Sequence, residues 1–183
     1  MTMLIWLAAA GVLVWCVVLF NLLVRDRNRV AAGWSDIDVQ LKRRHDLVPR
    51  LVEAVRQYAD YEQATLKSVT ALRTESERTD DVGRKGELEH SLGDGVKRLV
   101  AVAEKYPDLK ASNNFLDLQK ELVDVEDHIQ FARRYYNGAV RNFNTRVESF
   151  PDLLVAKLFG FKQRDFFQLD AESEAQVPEV KLQ

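Results

Sequence analysis

Leu4 to Val24 is a run of 21 residues with no charge and one strongly polar side chain, Asn21. As a helix rising 1.5 Å per residue it would be about 31 Å long, close to the ~30 Å hydrocarbon core of a bilayer. A secretory signal would carry Lys or Arg ahead of a shorter apolar stretch and a small-x-small site behind it. Here Met-Thr-Met leads, and the run ends in Arg25, Arg27 and Arg29. Bulky Trp15 also disfavours a lipoprotein site at Cys16. Residues 1–24 therefore read as a retained transmembrane anchor, with the lipid bilayer as its partner through residues 4–24.

Three arginines follow the run and none precedes it. An excess of Lys and Arg marks the cytoplasmic flank, so Arg25, Arg27 and Arg29 are the expected topology determinants. They place the N-terminus outside and the body in the cytoplasm. The one cysteine lies inside the run, and a body without disulfides suits a reducing compartment.

Beyond the anchor, the chain is long enough for one core. The formal net charge is −2, which implies no strongly basic face and argues against a nucleic-acid partner. Only 8 Gly and 4 Pro occur, as expected for long helices joined by few turns. From about Arg29 to Glu77, the apolar positions Val30, Ile37, Leu41, Val48, Leu51, Val55, Tyr58, Leu66, Val69 and Leu72 recur at helical spacing. Residues 73–95 are rich in charge and Gly and read as a connection. A short helix with Val96, Leu99, Val100 and Ala103 inward comes next, closing near Pro107. From Leu118 to Val147, apolar residues step by threes and fours, the seam of an antiparallel bundle. Pro151 and Gly160 bracket a short last helix. The expected fold is all-α: a transmembrane helix, then an antiparallel bundle of two long and two shorter helices over 25–169. The acidic stretch 170–183 reads as a disordered tail.

Three segments carry a family likeness: "DVQLKRRHDLVPRLVEAVRQYADYE" (38–62), "NNFLDLQKELVDVEDHI" (113–129) and "RRYYNGAVRNFNTRVESFPDLLVAKLFGF" (133–161). In their order and spacing the chain resembles the LemA family, bacterial proteins with an N-terminal transmembrane helix and a helical-bundle body. The resemblance implies that fold and anchoring, hence the bacterial inner membrane. It implies no catalytic residues.

Candidate chemistry is sparse. Pro49 lies inside a strong helical pattern and frees the carbonyl of His45. We expect a packed bend there rather than a hinge or binding notch. Between Leu41 and Val48 the stripe needs one more inward residue, which must be Arg44 or His45. A charge there demands a partner, and the seam offers Glu121, Asp124, Glu126 and Asp127. The expectation is an interhelical ion pair of Arg44 or His45 with Glu121 or Glu126; a proton-handling or ligand site is the alternative. A di-metal bundle uses two Glu-x-x-His motifs and two further Glu. Glu87 to His90 is the one match, so neither metal nor cofactor is expected. Asn137, Asn142 and Asn144 interrupt the long seam and suit either cross-helix hydrogen bonds or the surface. Phe150, Phe159, Phe161, Phe166 and Phe167 either cap the bundle's open end or form an exposed patch. The last four are the interaction candidates, for a partner, another copy or the membrane.

Taken together, the residues read as a non-enzymatic, single-pass membrane protein whose body is an interaction module or self-assembling scaffold. The partner would be a second copy or another membrane protein. The alternative is an accessory or sensing subunit that binds a ligand in the bundle and regulates a membrane enzyme such as a protease.

The topology is directly testable. In a chain with Cys16→Ala and Ser173→Cys, a membrane-impermeant maleimide should label lysed cells but not intact ones. Labelling of intact cells would put the body outside the cytoplasm.

Overall fold

The computed structural model describes residues 1–59 and 62–167; the expected acidic tail at 170–183 lies outside them. Among the described residues the fold is all-α, with no strand. It comprises α1 (Thr2–Arg56), α2 (Gln63–Arg78), α3 (Val82–Ala103), α4 (Pro107–Lys110), α5 (Asn113–Glu148) and α6 (Asp152–Leu158).

The first half of α1 is the apolar run, and the helix is long and apolar enough to cross a membrane. Leu4, Ile5, Leu7, Val12 and Leu13 all stand exposed, so this segment is not the core helix of a soluble bundle. The helix then passes Pro49 without ending.

Two compact units form. The first comprises Met1–Leu41 and Asp127–Phe166; the second comprises Lys42–Glu126 and Phe167. Within the first, α1 and α5 run antiparallel, since Asp26 meets Arg146 at 2.8 Å and the Trp34 ring meets Tyr136 at 5.6 Å. Ile37, Tyr136, Val140 and Phe143 supply its core. Within the second, Arg43 pairs with Asp124 at 2.8 Å and Arg50 with Glu121 at 3.2 Å, again in antiparallel order. The core of this unit draws Val48, Leu51 and Val55 from α1, Val69 from α2, Leu92 and Leu99 from α3, and Val125 from α5.

Two departures from the sequence expectation concern the middle of the chain. The stripe from Arg29 to Glu77 is not one helix: α1 stops at Arg56 and α2 starts at Gln63. The last turn tightens, with the Tyr58 and Ala59 amides both donating to the Val55 carbonyl. No Gly or Pro marks that stop, so the apolar spacing runs straight across it. Tyr58, expected inward, instead lies past the helix end with its ring 6.3 Å from Tyr106. The supposed connection at 73–95 is also mostly helical. Asp81 caps α3 by accepting from the Arg84 amide at 2.6 Å. Leu88, Leu92 and Gly95 turn inward while most of the charges face water.

Gly95 permits the close approach of α3 to α2: a Cβ there would stand 2.6 Å from Cγ2 of Val69. Gly95→Ala should therefore destabilise the protein by about 1–3 kcal/mol despite the better helix propensity of Ala. Adding Val69→Ala should recover part of that loss. Thermal unfolding of the single and double variants checks this, and a neutral Gly95→Ala would refute the tight crossing.

Candidate functional site

The buried polar residues of the second unit gather around one carboxylate. Arg44 and His45 sit on the inner face of α1, one turn before Pro49, and only 5% and 6% of their surface is exposed. Glu89 comes in from α3 and is 3% exposed. The His45 ring nitrogen Nε2 lies 2.6 Å from Glu89 Oε1, and the Ser76 hydroxyl of α2 donates to the same oxygen at 2.5 Å. Arg44 Nη1 donates to Glu89 Oε2 at 3.2 Å and to the Glu89 carbonyl at 3.1 Å. The other arm of the Arg44 guanidinium pairs with Glu126 on α5.

The backbone completes the set. Pro49 has no N–H to return to the His45 carbonyl, which is left as a free acceptor inside the helix. Arg73 of α2 fills it, donating from Nε at 2.7 Å. Arg73 also pairs with Glu77 at 2.9 Å, one turn along α2. The proline therefore marks neither an open notch nor an unsatisfied carbonyl.

Burial and charge oppose each other at both centres. Burial alone would push the Glu89 carboxyl up. The hydrogen bond and charge of His45, the charge of Arg44 and the Ser76 hydroxyl together hold it below the ordinary glutamate value. Burial pulls Arg44 down from the usual arginine range, and the charge and hydrogen bond of Glu89 only partly restore it. A guanidinium stays charged at neutral pH regardless.

Of the expected pairings, the structure brings Arg44 to Glu126 and places Glu121 instead on exposed Arg50. His45 reaches Glu89 rather than Glu121 or Glu126. Glu89 is the central residue that sequence reasoning missed. A signal existed, since counting back from Ala103 through Leu99, Val96 and Leu92 by threes and fours lands on it. The surrounding Gly and charge masked that register. Glu87 is drawn off by Arg84 at 2.9 Å, and His90 pairs with Asp94 at 3.6 Å. Among the described residues no group of three His, Cys, Asp or Glu side chains could hold a metal ion. A groove of about 770 Å³ opens elsewhere in this unit, lined by Val52, Arg56, Leu66, Lys67, Thr70 and Arg78 among others.

The first unit holds a second polar centre just past the apolar run. Asp26, 5% exposed, accepts from Arg146 at 2.8 Å and from Arg29 at 3.2 Å, with Arg25 at 3.8 Å. Arg146 also donates to Asp152 at 3.0 Å, tying α1, α5 and α6 together. Burial lowers the pKa of Arg146, but its hydrogen bonds to Asp152 and Asp26 outweigh that and raise it. Arg27, the third flanking arginine, lies 5.5 Å over the Phe161 ring.

The late phenylalanines divide. Phe167 is buried and Phe161 half-buried, whereas Phe150, Phe159 and Phe166 are exposed. Asn144 straps the segment down, donating to the Arg164 carbonyl at 2.9 Å and accepting from its amide at 2.8 Å. The Tyr136 hydroxyl adds a bond to the Asp165 carbonyl at 2.9 Å.

These features define an all-helical protein with an apolar N-terminal helix and a self-contained polar core. The chain belongs to the LemA family, whose model matches residues 33–182. It is 28% identical to Protein LemA of Metamycoplasma hominis over 163 residues, covering 88% of this chain and 74% of that protein. It is 26% identical to Magnetosome protein MamQ 2 of Paramagnetospirillum magneticum over 175 residues. For Magnetosome protein MamQ of Magnetospirillum gryphiswaldense the identity is 24% over 174 residues. Each MamQ match covers 81% of this chain but 64% of the relative, so the chain spans less than two thirds of those proteins.

Because folding lowers the Glu89 pKa, its contribution is present above the unfolded value, about 4.3. It is lost as pH falls through the lower folded value. Unfolding free energy of the full chain in micelles should therefore drop steeply below about pH 4.3. Glu89→Gln should cost about 3 kcal/mol at pH 7, since Arg44 and His45 keep their burial but lose the charge between them. Its acid limb should also be shallower than wild type. An unchanged acid limb would remove Glu89 from the account.

Proposed function

We propose that this protein is a non-enzymatic, membrane-tethered helical module that works by binding other proteins, its own copies first. The observation that carries the reading is the closure of the Arg44–Glu89 cluster. Its polar groups are committed to one another across four helices of the second unit. A catalytic or ligand-binding constellation would instead aim charge into an accessible space. Surface features favour a protein partner. In the first unit, Phe131 and Tyr135 lie one turn apart on α5 and are 63% and 54% exposed, with the Arg134 guanidinium over the Phe131 ring and the Tyr135 ring against Gly33. Tethering restricts the chain to two dimensions, which raises effective concentration and makes weak contacts productive.

The apolar run anchors the module, and the arginine flank points its body to the cytoplasmic side of the bacterial inner membrane. The MamQ relatives are named for the magnetosome and the LemA relative for no structure. The reading therefore takes over a tethered helical body from both, and no particular partner from either. A second reading, a sensing subunit that binds a ligand and regulates a membrane enzyme, has its foothold in the groove between the end of α1 and α2 and none in the polar core.

A photoreactive phenylalanine analogue at position 131 should give discrete crosslinked species in intact cells. The same group at Lys120, exposed on the same helix, should give far fewer. Adducts matching a dimer of this chain would identify self-association. Monomer alone at both positions would sink the interaction reading.

A further inference from the structure

Among the described residues, one face of α6 has no protein against it, and its position beside α1 points to its occupant. Phe150, Leu154 and Leu158 succeed one another at four-residue spacing and are 78%, 60% and 78% exposed. Phe159, next in the chain, is 57% exposed. The opposite side of α6 is committed to the protein: Val155 and Ala156 are buried, and Asp152 is held by Arg146.

The turn at the end of α6 sets the depth of this face. Gly160 adopts φ +70°, a conformation that favours glycine, and ends the helix. The Phe161 amide then donates back to the Ala156 carbonyl at 2.9 Å. This reversal puts the Phe161 ring 5.8 Å from Phe20 and the Phe159 ring 4.7 Å from Phe20. Phe20 belongs to the apolar run, four residues before its end at Val24. At 1.5 Å per residue it lies about 6 Å inside the run. A bilayer that covers Phe20 must therefore cover Phe159 as well. Amphipathic interfacial helices insert their apolar faces to a similar depth, about 5–10 Å. Lys157 and Lys162, both exposed, suit the headgroup layer above such a face.

We infer that α6 and the turn around it, residues 150–159, form a wedge seated in the acyl–headgroup boundary of the leaflet where the anchor ends. This rests on the membrane-tethered reading. The wedge gives the first unit a second hold on the bilayer, so that it does not swing on α1 alone.

The test uses the full chain with Cys16→Ala in vesicles of phosphatidylcholine and phosphatidylglycerol. Nitroxide labels are attached through Leu154→Cys or Leu158→Cys, with Val12→Cys as the anchor probe and Asp117→Cys as the water probe. Collision rates with oxygen, which partitions into lipid, and with a nickel chelate, which stays in water, give the depth. Labels at 154 and 158 should favour oxygen, as the label at 12 does, while the label at 117 favours the chelate by several-fold. If 154 and 158 match 117 while 12 remains in lipid, the wedge is wrong and the anchor stands. If 154 and 158 are shielded from both reagents, protein covers the face and the wedge is again wrong. If the label at 12 lies in water, the tether fails and the wedge with it.

Discussion

The carboxylate of Glu89 is the interaction on which the body depends. Placing Arg44 inside a bundle costs several kcal/mol unless a partnered anion meets it with good geometry. Glu89 meets it from α3 and is itself completed by His45 and Ser76, so α1, α2 and α3 share one carboxylate. Glu126 adds α5 through the other arm of Arg44. Pairs of this kind are often no better for stability than apolar side chains of similar volume. What Glu89 supplies is register. The apolar seams of α1 and α5 repeat every three or four residues, and a one-turn slip would still bury apolar surface. That slip would part Arg44 from Glu126 on α5, and a slip of α1 against α3 would leave Arg44 and Glu89 buried without each other, a penalty that favours one alignment.

Pro49 belongs to the same device. By withholding its own N–H it exposes the His45 carbonyl, and the Arg73 guanidinium takes that acceptor from α2. A residue that would ordinarily cost a helix about 3 kcal/mol has part of the cost offset by a charge-assisted hydrogen bond to a neighbouring helix. The two ends of one residue, ring and carbonyl of His45, thus hold α3 and α2 respectively. Asp26 plays a comparable part in the first unit, where it joins Arg25 and Arg29 to Arg146 and through it to α6.

Legibility in the sequence tracked burial. The residues of α1 and α5 that recur at helical spacing form the core nearly as read, because apolar periodicity is the direct signature of a helix face. The stop at Arg56 was hidden because a tightened turn, rather than a Gly or Pro, ends α1. Helix α3 was hidden for the opposite reason. Gly95 reads as a breaker, yet it serves a close helix crossing, and Glu89 reads as surface charge although it is buried. That Arg44 and His45 needed partners was visible from the stripe; that the partner would come from the charge-rich segment was not. The split among the late phenylalanines depends on Asn144 and Tyr136 gripping backbone at Arg164 and Asp165, a contact between distant segments that spacing cannot reveal.

This division of labour bears on how such a body persists in relatives only 24–28% identical to it. An apolar seam accepts volume-conserving exchanges at modest cost, provided something other than side-chain shape specifies the alignment. In this chain a few polar residues do that, and the buried ones among them are bonded to one another. On the proposed reading, specificity for a partner would reside on the outside of the helices, where Phe131 stands exposed. A fold organised in this way would keep its architecture while its surface changed, which is the property the proposed binding module requires.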